Sequence, residues 1–167
     1  TSHIESDTHT AAQLADTVAR EEGVRVADAL RGTRFYIGAG TYIEVLFPDR
    51  DVSHVETNTG SVVLHVVYQK TSFMLTGDSP SAIEDWLVVL DGNTLASTVL
   101  KAGHHGSRTS TDEEWLAAVN PDTVVISAGK NNSYGHPHQE VLDKITASGA
   151  NIFSTVNGAV TFISDGV

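Results

Sequence analysis

The chain of 167 residues contains no cysteine, so it forms no disulfide and offers a metal no thiolate ligand. No apolar run reaches the roughly 18 residues of a membrane span, so we expect no membrane contact by this chain. Basic residues are few, and the formal net charge is −11. Because phosphate backbones need Lys and Arg to displace counterions, this charge argues against a general nucleic-acid coat. A nucleic acid can still be a substrate at a metal site, where the ion supplies positive charge.

The length of the chain and its ordinary fraction of apolar residues predict one compact domain over residues 1–167 with a hydrophobic core. Because the sequence begins at Thr1 rather than Met, we expect a processed product or an excised piece of a longer protein. The composition assigns no cellular compartment. β-branched and aromatic residues between turn residues predict strands. These predicted strands cover residues 35–37, 42–47, 61–68, 72–75, 99–100, 124–127, 151–154 and 159–163.

Helices are predicted between the later strands. A first helix precedes the strands, between Thr10 and Gly23. A second is expected to start at Ser79-Pro80, with Ser79 as the N-cap. A third starts at Thr111, which has capping-box spacing to Glu114, and a fourth follows Pro137. From residue 64 onward, strands therefore alternate with helices, which is typical of an α/β or α+β fold.

Polar loops follow three successive apolar strands. The first ends in Gly77-Asp78, the second in the segment from Lys101 to Arg108, and the third in the segment from Gly129 to His138. Half of the eight histidines lie in two of these loops. Right-handed crossovers place such loops at one edge of a sheet, where carboxylate and imidazole groups meet around a cation. The alternative is a set of ordinary surface turns with incidental histidines.

The ordered motifs resemble those of a known family. They are Asn58-Thr59-Gly60-Ser61-Val62-Val63-Leu64, Leu75-Thr76-Gly77-Asp78, Leu100-Lys101-Ala102-Gly103-His104-His105-Gly106-Ser107 and Tyr134-Gly135-His136-Pro137-His138. Together they resemble the later half of a metallo-β-lactamase-fold domain, above all the C-terminal domain of ComEC-type DNA-uptake (competence) proteins. The resemblance covers about residues 33–165. It implies the C-terminal half of an αββα sandwich, with the N-terminal part of the domain missing.

The resemblance also implies site roles and a cofactor. Two zinc or manganese ions would lie between the sheets and activate water to attack a phosphodiester, such as a nucleic acid. The implied metal ligands are Asp78 and His104, while His104 is alternatively a close neighbour of the site. The implied catalytic residues are Lys101, His105 and His136. The implied substrate-binding residues are Ser107, Arg108, Lys130 and His138. Either His136 or His138 is alternatively the last metal ligand.

This sequence departs from the family at its main metal motif, His-x-His-x-Asp-His, which is found nowhere in it. We therefore expect a metal-dependent hydrolase of phosphodiesterase or nuclease type that is inactive or weakly active in this form. The alternative is a non-catalytic binding module that keeps the fold without the metal chemistry. A further alternative is a plain α/β sandwich with structural histidines. A missing sheet would expose apolar surface, so we expect a homodimer that covers it or an incomplete fold.

Overall fold

The computed structural model describes residues 9–21, 23, 27–38 and 40–167. Its helices are α1 (His9–Arg20), α2 (Ser81–Asp91), α3 (Glu113–Val119) and α4 (Gln139–Ser148). Its strands are β1 (Arg34–Gly38), β2 (Thr41–Phe47), β3 (Val63–Tyr68), β4 (Thr71–Leu75), β5 (Val99–Lys101), β6 (Thr123–Ile126) and β7 (Asn151–Ser154). Short 3₁₀ turns cover Gly92–Leu95, Gly103–Gly106 and Thr155–Asn157. This mixed content confirms the predicted α+β class.

All seven strands form one sheet in the order β1-β2-β3-β4-β5-β6-β7. The first four are antiparallel neighbours, and β4 to β7 are parallel neighbours. A helix connects each parallel strand to the next, and right-handed crossovers in a constant direction place those helices on one face. Consistent with this, α2 contacts α3 and α3 contacts α4. The polar loops after β4, β5 and β6 consequently lie side by side, as the sequence predicted.

The core lies between this helical layer and one face of the sheet. Met74, Leu100 and Val124 project from neighbouring strands and are completely buried. They pack against the apolar faces of α2, α3 and α4, whose core residues are Leu87, Trp115, Leu116, Val119, Val141 and Ile145. Each of these large side chains contributes roughly 1.5–3 kcal/mol through burial. The rigid strand ends that carry the polar loops are therefore fixed by a continuous core.

The other face of the sheet is apolar and only partly covered. Phe73 and Phe153 alternate with core residues along their strands, so they point away from the helices. Phe162 contacts both rings, at centroid distances of 6.2 Å each, and Ser164 Oγ donates to Thr71 Oγ1 at 2.7 Å. The C-terminal segment thus crosses this face, while Phe153 and Phe162 remain partly exposed. The full metallo-β-lactamase sandwich and the homodimer remain predictions, because a second sheet is not among the described elements.

Three local predictions were wrong. Residues 159–163 form no strand, since this segment lies across the sheet instead of pairing at its edge. The N-cap of α2 is Pro80 rather than Ser79, and no side chain caps it. The N-cap of α3 is Asp112, whose carboxylate accepts from the N–H of Trp115, while Thr111 bonds elsewhere. Within the described part of the chain, no helix has the length and apolar character of a membrane span.

Candidate functional site: a histidine cluster at the ends of three parallel strands

The loop after β5 turns so tightly that both of its glycines are needed. A Cβ atom on Gly103 would lie 2.8 Å from Ser110 Cβ, and one on Gly106 would lie 2.7 Å from Pro137 Cβ. Gly106 therefore brings the loop after β6 into direct contact, and its carbonyl accepts from the N–H of His138 at 3.0 Å. Close backbone approach of this kind is accessible only to glycine.

Two histidines between these glycines adopt unusual backbone conformations. His104 has φ 45° and ψ 45°, and His105 has φ 59° and ψ 21°. Both lie in the left-handed region, which costs a non-glycine residue free energy and is concentrated at functional sites. We name Gly103–Gly106 the histidine turn. Its conformation directs the two imidazoles outward from the ends of the parallel strands.

His105 is oriented by one neighbouring strand and faces the end of another. Its Nδ1 donates to the carbonyl oxygen of Ser127 at 2.6 Å, just after β6. Its Nε2 lies 3.5 Å from Oδ1 of Asp78, just after β4. The Asp78 and His105 side chains are 37% and 45% exposed, so both can be reached from solvent. The sequence predicts that Asp78 and His105 lie at the same edge of the sheet, and in the structure their side chains are direct neighbours.

The remaining imidazoles surround this pair. The His136 ring lies 5.5 Å from that of His104 and 4.9 Å from that of His138, measured between centroids. Burial, followed by the neighbouring imidazoles, lowers the pKa of His136, while Asp78 raises it. The Tyr134 ring stacks on His136 and is 77% exposed. We name His104, His105, His136 and His138 the histidine cluster.

His138 has a defined hydrogen-bonding role. Its Nδ1 accepts from the backbone N–H of Arg108 at 3.0 Å. In the neutral ring the proton therefore resides on Nε2, which becomes a donor. This geometry suits the predicted substrate contact better than coordination through Nδ1. His104 is less constrained, with long contacts from its two nitrogens to Thr109 Oγ1 at 3.4 Å and to Asn58 Nδ2 at 3.5 Å.

Two predicted site residues are engaged within the loops themselves. Lys101 Nζ donates to the carbonyl oxygens of Gly77 and Ala102 at 2.8 and 3.1 Å. Burial lowers the pKa of Lys101, against the attraction of Asp78. Ser107 is buried, and its Oγ contacts Thr109 Oγ1 at 3.0 Å. In this geometry, both residues fasten the loops and neither side chain points freely at a substrate.

The two other predicted cations lie at the surface of the site. Arg108 is exposed, and its Nε lies 3.5 Å from a carboxylate oxygen of Glu140. Such an exposed pair is weak and easily exchanged for another anion. Lys130 is exposed in the loop that follows β6. Among the predicted substrate-binding residues, Arg108 and Lys130 are therefore the accessible cations.

Sequence reasoning missed three residues that shape the site. Ser127 orients His105, Asn58 contacts His104, and the buried Glu84 lies directly beneath Gly103. Ser127 lies at the end of a predicted strand, and Asn58 opens the first of the family motifs, but neither pattern assigns a site role. Among the described residues, no group of three or more His, Asp or Glu side chains is arranged to hold a metal ion.

No protein-family model matches the chain. The chain is 38% identical over 145 residues to ComE operon protein 3 of Bacillus subtilis (strain 168), covering 86% of this chain and 18% of that protein. It is 37% identical over 124 residues to Competence protein ComA of Neisseria gonorrhoeae, covering 74% of this chain and 18% of that protein. It is 36% identical over 107 residues to Recombination protein 2 of Haemophilus influenzae, covering 64% of this chain and 13% of that protein. The chain thus spans less than a fifth of the length of these relatives, which indicate a relationship to competence proteins.

Proposed function

We propose that this chain is a domain of a competence (DNA-uptake) protein and handles phosphodiesters as part of a metal-dependent hydrolase of the metallo-β-lactamase type. Similarity to competence-named proteins supports the first half of the proposal. Because the chain spans only 18% of those two relatives, the activity, the nucleic-acid substrate and the partners of a whole such protein are all part of the proposal. The chemistry at the ends of β4, β5 and β6 supports the second half.

The single observation that carries the hydrolase proposal is the contact between Asp78 and His105. His105 Nδ1 must carry the proton, since its partner is a carbonyl oxygen. The neutral ring then presents an Nε2 lone pair 3.5 Å from a carboxylate oxygen. Two acceptors this close repel unless a proton or a metal cation lies between them. Metal-bound imidazoles typically donate their other N–H to a carbonyl or carboxylate in just this way.

Zinc or manganese is only partly accommodated by the described residues. Asp78 and His105 supply two metal ligands, whereas a catalytic zinc normally has three protein ligands. No group of three donors lies among the described residues, and the His-x-His-x-Asp-His motif is not in the sequence. We therefore assign no reaction step to a metal in this chain. Asp78 and His105, rather than Asp78 and His104, would give this chain weak metal binding, while the full hydrolase site requires further ligands beyond those described.

The other residues of the cluster have roles that do not depend on that ion. His138 presents Nε2–H as a donor to a phosphate oxygen, and its orientation is fixed by the backbone of Arg108. The exposed side chains of Arg108 and Lys130 supply positive charge on an otherwise acidic protein. Neutral His136, between the other rings, is able to accept a proton. These groups bind and orient a phosphodiester.

The test is calorimetric titration of the purified chain with zinc and manganese. We expect the Asp78→Asn and His105→Gln variants to bind at least about tenfold more weakly than the wild type. His54→Gln changes an exposed histidine outside the cluster and should leave the affinity unchanged. If His104→Gln weakens binding and His105→Gln does not, His104 is the ligand, as the resemblance implied. Equal binding by the wild type and Asp78→Asn would refute the site.

The second candidate is a non-catalytic binding module. It is favoured by the small number of metal-ligating side chains among the described residues, which also limits the proposed metal site. It predicts that the wild type shows no saturable binding of either metal and no hydrolysis of bis(4-nitrophenyl) phosphate. It further predicts that a short single-stranded oligonucleotide still binds, and that the Arg108→Ala variant binds it more weakly.

A further inference from the structure

A carboxyl group that the proposed function does not use lies beneath the histidine turn. Glu84 is on the helix that follows Asp78, and its side chain is completely buried. Its neighbour Asp85 is exposed, so the burial is specific to one position of the helix. Glutamate is almost never fully buried unless it is paired, which means that Glu84 requires a physical explanation.

Glu84 contacts the first residue of the turn and the end of the loop. Its Oε2 accepts from the N–H of Thr111 at 2.6 Å. Thr111 Oγ1 in turn accepts from the N–H of Gly103 at 2.9 Å. A Cβ atom on Gly103 would lie 2.9 Å from Glu84 Oε1, so the carboxyl group lies directly against the turn. One side chain thus connects both ends of the 103–111 loop to α2.

The loop depends on this connection for its unusual shape. Thr111 has φ 58°, which a β-branched residue rarely adopts without support from its surroundings. A second hydrogen bond lies alongside, from Ser110 Oγ to the carbonyl oxygen of Ser79 at 2.6 Å. Between these anchored ends, His104 and His105 hold their left-handed conformations. Loss of the anchor would let the backbone of the turn relax toward ordinary φ values.

The surroundings of Glu84 favour the uncharged acid. Burial is the largest effect and raises the pKa of Glu84 to about 8, although the N–H groups of Thr111 and Asp112 lower it. The charged groups that face it are Asp85 on α2 and Asp112 before α3, which raise that pKa, and Lys101 at the end of β5. At neutral pH the folded protein therefore keeps a proton on Glu84 that the unfolded chain releases above about pH 4.5.

We propose that Glu84 is the positioning residue of the histidine cluster, acting as a neutral acid through Thr111 and Gly103 to set the backbone of His104 and His105. This role rests on hydrogen bonds of the chain itself and is independent of the proposed metal. Its pH signature has a fixed sign. The stability that the neutral acid supports is complete below about pH 4.5 and is lost as the pH rises to about 8.

The test compares Glu84→Gln, a neutral side chain of the same shape, with Glu84→Ala and with the exposed control Glu113→Gln. The first readout is the ¹H–¹⁵N NMR signal of the His105 Nδ1–H that is bonded to Ser127. The second is the urea midpoint between pH 5 and pH 9. We expect Glu84→Gln to keep the signal and to lose the fall in midpoint between pH 5 and 8 that the wild type and Glu113→Gln show.

Glu84→Ala should lose the Nδ1–H signal of His105 at neutral pH or fail to fold. In either case, the result for Glu84→Gln decides whether the neutral side chain positions the turn. The proposal is overturned if Glu84→Gln loses the signal, if it keeps the wild-type pH dependence, or if Glu84→Ala folds with the His105 signal unchanged. Failure of the chain to bind metal would alter none of these readouts. The two proposals therefore stand or fall separately.

Discussion

The histidine cluster can be compared with a second polar region, a pocket of about 260 Å³ between β1–β3 and the end of α2. We name it the arginine pocket, after Arg31 and Arg34 in its lining. Both regions hold an imidazole near carboxylates. In the arginine pocket each carboxylate has a guanidinium partner, since Arg31 pairs with Asp91 and Arg34 with Glu44. In the cluster, Asp78 faces the imidazole of His105 instead of a guanidinium.

This difference in charge balance distinguishes the internally paired arginine pocket from the proposed site at the histidine cluster. Arg31 donates to both carboxylate oxygens of Asp91 and to the carbonyl of Leu46 at 2.9 Å, so its donors are used within the protein. Fork-shaped pairing of this kind fixes geometry and leaves little for a ligand. Asp78 and His105 instead present two acceptors to each other and remain open to solvent. The proposed cation site is therefore assigned to the cluster and not to the arginine pocket, whose carboxylates are already paired with arginines.

The largest expected effect comes from breaking the balanced region. Arg31→Ala leaves Asp91, which is 13% exposed, without its cation and should lower the free energy of unfolding by about 3 kcal/mol. Urea denaturation measures the loss. The matched control is Arg20→Ala, which breaks an exposed pair with Asp16 and should cost under about 1 kcal/mol. The His105 NMR signal should remain unchanged in both variants. Equal losses would mean that burial of the Arg31 pair is unimportant.

An intermediate effect is expected where the two histidine loops touch. Gly106→Ala imposes a side chain at φ 81° and 2.7 Å from Pro137 Cβ, so the loops must separate. We expect a loss of about 2 kcal/mol together with altered NMR shifts of His136 and His138. Gly129→Ala lies in the same loop system with nothing within 4 Å of the added atom and serves as the control. An unchanged cluster in Gly106→Ala would contradict close packing of the loops.

The smallest effect concerns the histidine of the arginine pocket. Burial lowers the pKa of His65, while Glu44 and Asp91 raise it. Below about pH 6.5 the unfolded chain therefore binds a proton that folded His65 resists, and stability is lost as the pH falls. The slope is below about 1.4 kcal/mol per pH unit for one group. The comparison is made in a Glu84→Gln background, because the titration of Glu84 has the opposite sign over this pH range. Urea titrations at pH 7 and pH 5 should then show a smaller loss of stability at pH 5 with His65→Leu than with His65 present, and an equal loss would contradict the inference.

The parts of the molecule that sequence predicts well depend on local patterns. The strand ends before Asp78 and before the histidine turn follow from apolar runs that give way to a polar residue and then to glycine. Parallel pairing then brings these two ends together. The segment 159–163 shows the limit of this reasoning, because its β-branched and aromatic residues suit a strand and also suit a segment that covers an apolar face. Only the position of the Phe73 and Phe153 rings decides between these outcomes.

The contacts that the sequence did not predict are hydrogen bonds and packing contacts of single side chains with residues distant in the sequence. The resemblance implies a catalytic role for Lys101, but its long side chain turns back and donates to the carbonyl groups of Gly77 and Ala102. In the sequence, Glu84 cannot be distinguished from an acidic residue on the exposed face of a helix. Its burial depends on a loop that begins 19 residues later, at Gly103. Thr111 lost its predicted cap role to Asp112 because Gly103 and Glu84 already engage it.

The order of the sheet has a consequence for how the chain acquires its structure. In the part of the chain that the structure describes, each strand after β1 pairs with the strand that precedes it. Each of these pairings therefore closes a loop of modest entropic cost. The sheet can therefore grow in one direction as synthesis proceeds. The ends of β4, β5 and β6, where the histidines gather, are then completed in succession as each strand joins its predecessor.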